Sequence, residues 1–307
     1  MPCVMRYNWS RWHRPMQIAE AVSHGAITIV NAIATGKGAA LGIGLWTKAR
    51  VTVTERAGSF KGRNLTEPNE DVTLIETTVR EIFQRFKVDD RFGACVETHS
   101  TIPSAVGLKS SSAASNAVAL ASLKALEKKV DDLEAINFGV EASLKARVTL
   151  TGAFDDACAC FFGGVVITDN KRRRILKRIR PRSHLRVLVQ VPKRKRYTKD
   201  IDPQQVMNIR PLIPMVHREV LRGNCWSALT LNGLLYSAAL GYDTSSVRDA
   251  LQAGAIAAGL SGKGPAVAAI VPSSSVKSVL NAWGSCCDEI IETSFNYERA
   301  HALRVPD

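Results

Sequence analysis

The chain has 307 residues, 46% of them hydrophobic and 22% charged, with a formal net charge of +13. That length holds two modest domains or one large one of ordinary globular composition. No apolar run approaches the roughly 18 residues needed to cross a bilayer, which excludes a membrane-spanning helix. Seven cysteines, an odd number without ligand-like spacing, argue against a disulfide framework or a zinc site. Cys158 and Cys160 lie in an apolar run, and Cys286 and Cys287 would point to opposite faces of a strand; all are read as reduced thiols of a cytoplasmic protein. The charge is local. Lys171–Lys199 holds 14 of the 41 basic residues and no acidic one, leaving 27 basic against 28 acidic residues elsewhere.

Met1–Pro15 contains Trp9, Trp12 and three arginines but no apolar core of a secretory signal. It is expected to be an N-terminal arm or to lie upstream of the true start, since Met16 directly precedes the first patterned segment. Ala26–Ile33 suits a buried strand or short helix. Gly36-Lys37-Gly38 is a turn with a cation between two glycines, which either brings backbone and ammonium to one anion or is simply solvated. No Gly-Lys pair is followed by Ser or Thr, so there is no Walker A loop. Lys48–Thr54 alternates as a strand, and Val72, Ile75, Val79, Ile82, Phe83 and Phe86 mark a helix. Gly93–Thr98 predicts a strand leading into the stretch Ile102–Ala121.

There Pro103 and Gly107 mark a loop, Ser110, Ser111 and Ser112 suit a helix start, and the small residues after them favour helix to about Lys128. Such a helix start offers unpaired N–H groups and the positive end of the helix dipole to a phosphate; it is equally the form of an ordinary capped, buried helix. Leu133–Arg147 is expected to be helical behind an Asp131-Asp132 cap. Asp155 and Asp156 precede a small-residue run ending at Gly163-Gly164. A paired Asp in a loop is commonly a cap or solvated turn, but this one sits between apolar segments. Val165–Thr168 and Leu185–Val191 read as strands, the second opening a new domain. Leu229–Leu240 and Val247–Ala257 have helical patterns, Gly259–Gly264 is glycine-rich before an apolar strand, and Glu289–Arg304 is strand-like.

Pro103, Gly107-Leu108 and Ser110-Ser111-Ser112-Ala113 resemble the ATP-binding motif of the GHMP kinases. The chain departs from it at Lys109, where glycine or serine is usual. Gly-Leu-Lys-Ser-Ser-Ser-Ala-Ala, together with Ala19–Ile43 and Thr149–Ile167, is similar to the archaeal shikimate kinase branch. Ser261-Gly262-Lys263-Gly264-Pro265 resembles the superfamily's C-terminal glycine-rich motif. The resemblance implies an α+β, two-domain GHMP kinase-like fold, with an N-terminal mixed α/β domain over 16–182 and a ferredoxin-like α+β domain over 183–307.

It also implies ATP and Mg2+ as cofactors and transfer of a phosphoryl group to the 3-hydroxyl of shikimate. Pro103, Ser104, Ala105, Val106, Gly107, Leu108, Lys109, Ser110, Ser111, Ser112 and Ala113 would form the ATP loop, with Gly262 and Gly264 beside it. Ser111 and Glu141 would be the magnesium ligands. Counted back from the paired glycines, mevalonate kinase-like spacing favours Asp156 as the catalytic carboxylate and homoserine kinase-like spacing Asp155, with Asp156 the leading choice. Lys37 would serve either ligand, and Arg147 is one candidate for the partner of the shikimate carboxylate. The alternatives are a homoserine- or mevalonate-type kinase, or a nucleic-acid-binding protein on an inactive scaffold. The basic run reads first as an inter-domain hairpin with a solvated face. Attraction of ATP and contact with nucleic acid are its other readings, and with Tyr197 its only aromatic, no nucleic-acid partner is expected. No membrane partner is expected, and the sequence sets no oligomeric state.

Overall fold

The computed structural model describes residues 17–149, 151–181, 184–193, 195–197, 202–284 and 289–303. The expected N-terminal arm and the Cys286-Cys287 pair lie outside them. Two long strands organise the first half. β1 (Ile18–Val30) pairs antiparallel with β2 (Lys37–Thr54) along nearly its whole length. From Ala21 onward every residue of β1 is buried, because helices cover both faces of it; alternation is lost in such strands. This explains why Ala26–Ile33, ambiguous between strand and helix by pattern, is strand to Val30.

The far edge of β2 forks. Its second half pairs with β4 (Gly93–Ser100), which lies parallel to β3 (Phe60–Asn64), and its first half pairs with β5 (Val165–Asp169), which continues to β6 (Arg174–Ile179). Helix α1 (Thr73–Arg85) connects β3 to β4 and buries Leu74, Ile75, Val79, Ile82 and Phe83. Between β4 and β5 run α2 (Ser110–Ala125), α3 (Asp132–Lys145) and α4 (Phe154–Phe162). Helix α2 is buried nearly all round, as its small residues require: a Cβ added to Gly139 of α3 would stand 2.7 Å from the Ser115 hydroxyl. Asp131 caps α3, accepting the Glu134 N–H at 2.8 Å.

The second sheet is β7 (Leu185–Val191), β8 (Ala257–Leu260), β9 (Val267–Pro272) and β10 (Glu289–Ser294), ordered β10-β7-β9-β8 with every pairing antiparallel. Helices α5 (Ile213–Arg222), α6 (Cys225–Leu240) and α7 (Ser245–Gln252) lie between β7 and β8, and α8 (Val276–Trp283) between β9 and β10. Counting α5–α7 as one crossover, this is the βαββαβ order of a ferredoxin-like unit. The helical pattern over Val247–Ala257 stops at Gln252, since Gly254 at φ +100 turns the chain into β8. A last strand, β11 (His301–Leu303), pairs with β1. Residues 295–303 therefore pack with the first sheet, although the sequence groups them with 183–307. Among the described residues no helix is long and apolar enough to cross a membrane.

Candidate active site

The loop before α2 is held on a second loop as well as on its own domain, where the Ala26 N–H donates to the Leu108 carbonyl at 3.3 Å. Gly107 has φ +98, and a Cβ there would stand 2.1 Å from the Ser261 carbonyl oxygen, so only glycine fits. The Ser261 hydroxyl donates to the Gly107 carbonyl at 2.8 Å, and the Ala266 N–H to that of Val106 at 3.1 Å. Strand β1 closes the triangle: Thr28 N–H reaches Ser261 Oγ, Gly262 N–H reaches Thr28 Oγ1, and the Asn31 amide donates to the Gly262 carbonyl at 2.8 Å. Three segments distant in sequence thus fix the start of α2, where no side chain caps the first-turn amides of Ser110, Ser111 and Ser112. Those donors and the helix dipole make an anion seat.

Helix α4 aims its own N-terminus at the same place, with Asp155 and Asp156 in its first turn. Asp155 is 4% exposed. Asn170 donates to its Oδ1 at 2.7 Å and accepts its backbone N–H at 3.1 Å, while Thr168 and the Gly36 carbonyl orient Asn170. Burial pushes the Asp155 carboxyl up to about 7; the neighbouring Asp156 charge adds to this, and the Asn170 hydrogen bond opposes it. Asp156 instead faces Lys109, whose Nζ lies 3.1 Å from its Oδ1, with side-chain exposures of 8% and 18%. Lys109 holds a left-handed backbone, φ +66, at a cost of about 1–2 kcal/mol for a side-chain-bearing residue. Strain of that kind clusters at functional sites, and here it delivers an ammonium to a carboxylate.

The cleft has two chambers meeting at Ser110 and Ser111. The smaller, about 140 Å³, is lined by the Lys109–Asp156 pair, Asp155, Thr28, Asn31, Ser143, Thr149, Thr151, Gly262 and Lys263. The larger, about 670 Å³, is lined by Asn64, Asn69, Glu70, Thr98, Ser104, Ala105, Arg147, Arg196 and Tyr197 among others, and Lys263 borders both. Chemically, an anion seated at α2 lies between a space able to hold a large polar ligand and a space with a buried carboxylate–ammonium pair.

Residues 73–164 match the GHMP kinases N terminal domain, and residues 227–289 match GHMP kinases C terminal. The shikimate kinase of Methanosarcina mazei is 45% identical over 278 residues, 90% of this chain and 94% of that one. The shikimate kinase of Pyrococcus abyssi is 44% identical over 273 residues, covering 88% and 96%. The chain belongs to the GHMP kinases, in the archaeal shikimate kinase branch. Solved structures agree on the fold: the Methanococcus jannaschii mevalonate kinase matches 92% of this chain and 99% of its own with TM-score 0.73 at 16% identity. The Cytophaga hutchinsonii homoserine kinase covers 95% and 99% with TM-score 0.70 at 13% identity.

Within this GHMP kinase most sequence-expected residues converge. Ala105, Gly107, Lys109, Ser110, Ser111, Ser112, Asp155, Asp156 and Gly262 line the smaller chamber, and Ser104 the larger. Pro103, Val106, Leu108 and Ala113 support the loop from behind, the last three buried. Gly264, at φ +74, packs on Tyr242 and Leu260 instead of reaching the cleft. Glu141 does not line either chamber. Two residues apart on a helix are about 200° apart around its axis; Ser143 faces the chamber, and Glu141 turns away to bond Arg173 at 2.6 Å. Lys37 is exposed and lines neither chamber, and Arg147 lines the larger one, not the chamber of Asp155 and Asp156. Sequence reasoning missed Asn170, Thr28, Asn31 and Lys263. Lys263 had a signal: Gly262-Lys263-Gly264 repeats the form of Gly36-Lys37-Gly38 inside a motif already singled out.

Proposed function

We propose that this kinase transfers the γ-phosphoryl group of ATP to a hydroxyl of shikimate, the 3-hydroxyl by resemblance, giving 3-phosphoshikimate and ADP. The observation that carries the reading is the shielded Lys109–Asp156 pair in the smaller chamber, beside the N-terminus of α2. The relatives at 44–45% identity, which are shikimate kinases, supply the acceptor. ATP occupies the larger chamber with its phosphates on the amides of Ser110–Ser112. The smaller chamber takes the acceptor, and its hydroxyl and amide side chains (Thr28, Asn31, Thr149, Thr151) suit a polyol.

Phosphoryl transfer asks chiefly for positioning and charge neutralisation. Asp156 orients the acceptor hydroxyl and receives its proton. Lys109 holds Asp156 in place and offsets charge on the transferred group, and Lys263 adds a second cation at the boundary. Asp155, tied to Asn170, supports the turn and does not take part in the transfer. Ser111 offers an oxygen donor to a magnesium ion, which typically uses one or two carboxylates and completes its shell with phosphate and water. When bound, it would neutralise phosphate charge. A cytoplasmic setting accords with free thiols at Cys95, Cys158, Cys160 and Cys225.

The test is ADP release from magnesium-ATP with shikimate, homoserine or mevalonate as acceptor. Turnover with shikimate, and at least about a hundredfold less with the others, is expected. Turnover on homoserine or mevalonate alone would keep the fold and discard this acceptor.

A further inference from the structure

Residues 195–197, near the end of the basic run, are partly exposed yet bonded on several sides. The Arg196 N–H donates to the Ala105 carbonyl of the phosphate loop at 2.9 Å. Its guanidinium lies over the Tyr242 ring at 5.0 Å, and Tyr242 donates to the Lys263 carbonyl of the glycine-rich loop at 3.0 Å. Lys195 reaches the other way, bonding Glu67 and, at 2.6 Å, Glu70; the Tyr197 hydroxyl also bonds Glu70, at 3.0 Å. Glu67 in turn accepts the Ser104 N–H of the phosphate loop at 3.2 Å. One short strap therefore joins three walls of the larger chamber.

The charge arithmetic of that chamber gives the strap a purpose. Glu70 and Asp71 line it together with Arg147, Arg196 and Lys263, and Glu67 accepts from Ser104 of the phosphate loop; left unpaired, Glu67 and Glu70 would oppose a nucleotide polyphosphate entering among those cations. Lys195 is the cation bonded to both Glu67 and Glu70. On the reading of the chamber as the ATP site, we propose that Lys195 is a positioning residue for nucleotide binding. It neutralises Glu67 and Glu70 and, through Glu67 and the backbone of Arg196, holds Ser104 and Ala105 at the phosphate loop.

The test compares wild type with Lys195→Met, Lys195→Arg, the double variant Lys195→Met/Glu70→Gln and, as a control in the same basic run, Arg174→Gln. Binding of a fluorescent ADP analogue is measured, together with kcat and the KM for ATP and for shikimate. Lys195→Met is expected to weaken ADP binding and raise the KM for ATP about tenfold, leaving kcat and the shikimate KM within about twofold, the signature of lost ground-state binding. Lys195→Arg should bind nearly as wild type. The double variant should recover part of the loss, because one of the two uncompensated carboxylates is gone while Glu67 remains. Unchanged ADP binding in Lys195→Met overturns the proposal. So does a loss falling mainly on kcat, no recovery in the double variant, or an equal loss in Arg174→Gln. Wild type that binds ADP yet ignores shikimate would overturn the acceptor assignment alone, and wild type that binds no ADP would overturn both.

Discussion

Both chambers take most of their walls from loops; the smaller adds the first turns of α2 and α4, whereas the larger adds residues of β2, β3, β4 and α1. In the smaller, the charged groups are shielded: Asp155 is 4% exposed and the Lys109 side chain 8%. In the larger, the corresponding ion pairs are half open, with Lys195 at 37% and Glu70 at 20%. Charges taken out of water act strongly on one another and tolerate little change; exposed pairs are worth less and mainly hold loops in register. That difference accords with the proposed division, in which the chemistry belongs to one side and the grip on the nucleotide to the other. Substitutions in the smaller chamber should strike kcat, and those in the larger should strike KM.

The largest effect that sharpens this contrast is expected at Lys109. Lys109→Met removes the ammonium and leaves Asp156 shielded without its partner, and kcat should fall about 10²- to 10³-fold; a change confined to the KM for ATP would erase the distinction between the chambers. Next comes stability against pH. Asp155 retains its proton in the folded protein up to about 7, whereas an unfolded aspartate loses it near 4. Its contribution is therefore complete below about pH 4 and is lost as pH rises through about 7. Asp155→Asn, which cannot ionise, should match wild type near pH 4 and become more stable by up to about 4 kcal/mol near pH 8. Melting temperatures across that range check it, and a constant gap would refute the buried-acid account. The smallest effects separate two lysines in identical tripeptides. Lys263→Met should raise the KM for ATP about tenfold, and Lys37→Met should leave all kinetic constants within about twofold.

Those two Gly-Lys-Gly turns also show how far sequence carries. Both were visible as a cation between glycines, yet only Gly262-Lys263-Gly264 brings its lysine to the cleft. In Gly36-Lys37-Gly38 the glycines matter. The Gly36 carbonyl positions Asn170, and a Cβ on Gly38 would stand 2.1 Å from the Asp155 carboxylate. The phosphate loop, the carboxylate pair and strands such as β4, β5 and β7 were legible because each rests on local pattern or a contiguous motif, whereas β3 and β6, polar or basic in sequence, were not. The sequence could not place Glu141, because helix phase relative to the cleft depends on tertiary packing, which spacing along the chain does not encode. Asn170, Thr28 and Asn31 act across 15 to more than 200 residues of sequence separation, and no local signal marks such partners. The strap at 195–197 was hidden by its own composition, since a basic run normally denotes a solvated surface. Lys109, the one departure from the family pattern inside the ATP motif, proved the most informative residue, because the motif's usual glycine suits the left-handed backbone the lysine adopts.

The account stands or falls on Asp156 being the carboxylate that meets the acceptor. The most direct measurement is kcat for shikimate-dependent ADP release in Asp156→Asn and Asp155→Asn, assayed side by side with wild type at pH 7.5. Asp156→Asn is predicted to lose about 10²- to 10⁴-fold in kcat while still binding ADP, and Asp155→Asn to retain turnover within about tenfold of wild type. Turnover near wild type in Asp156→Asn, with Asp155→Asn inactive but folded, would contradict the account and exchange the roles of the two carboxylates.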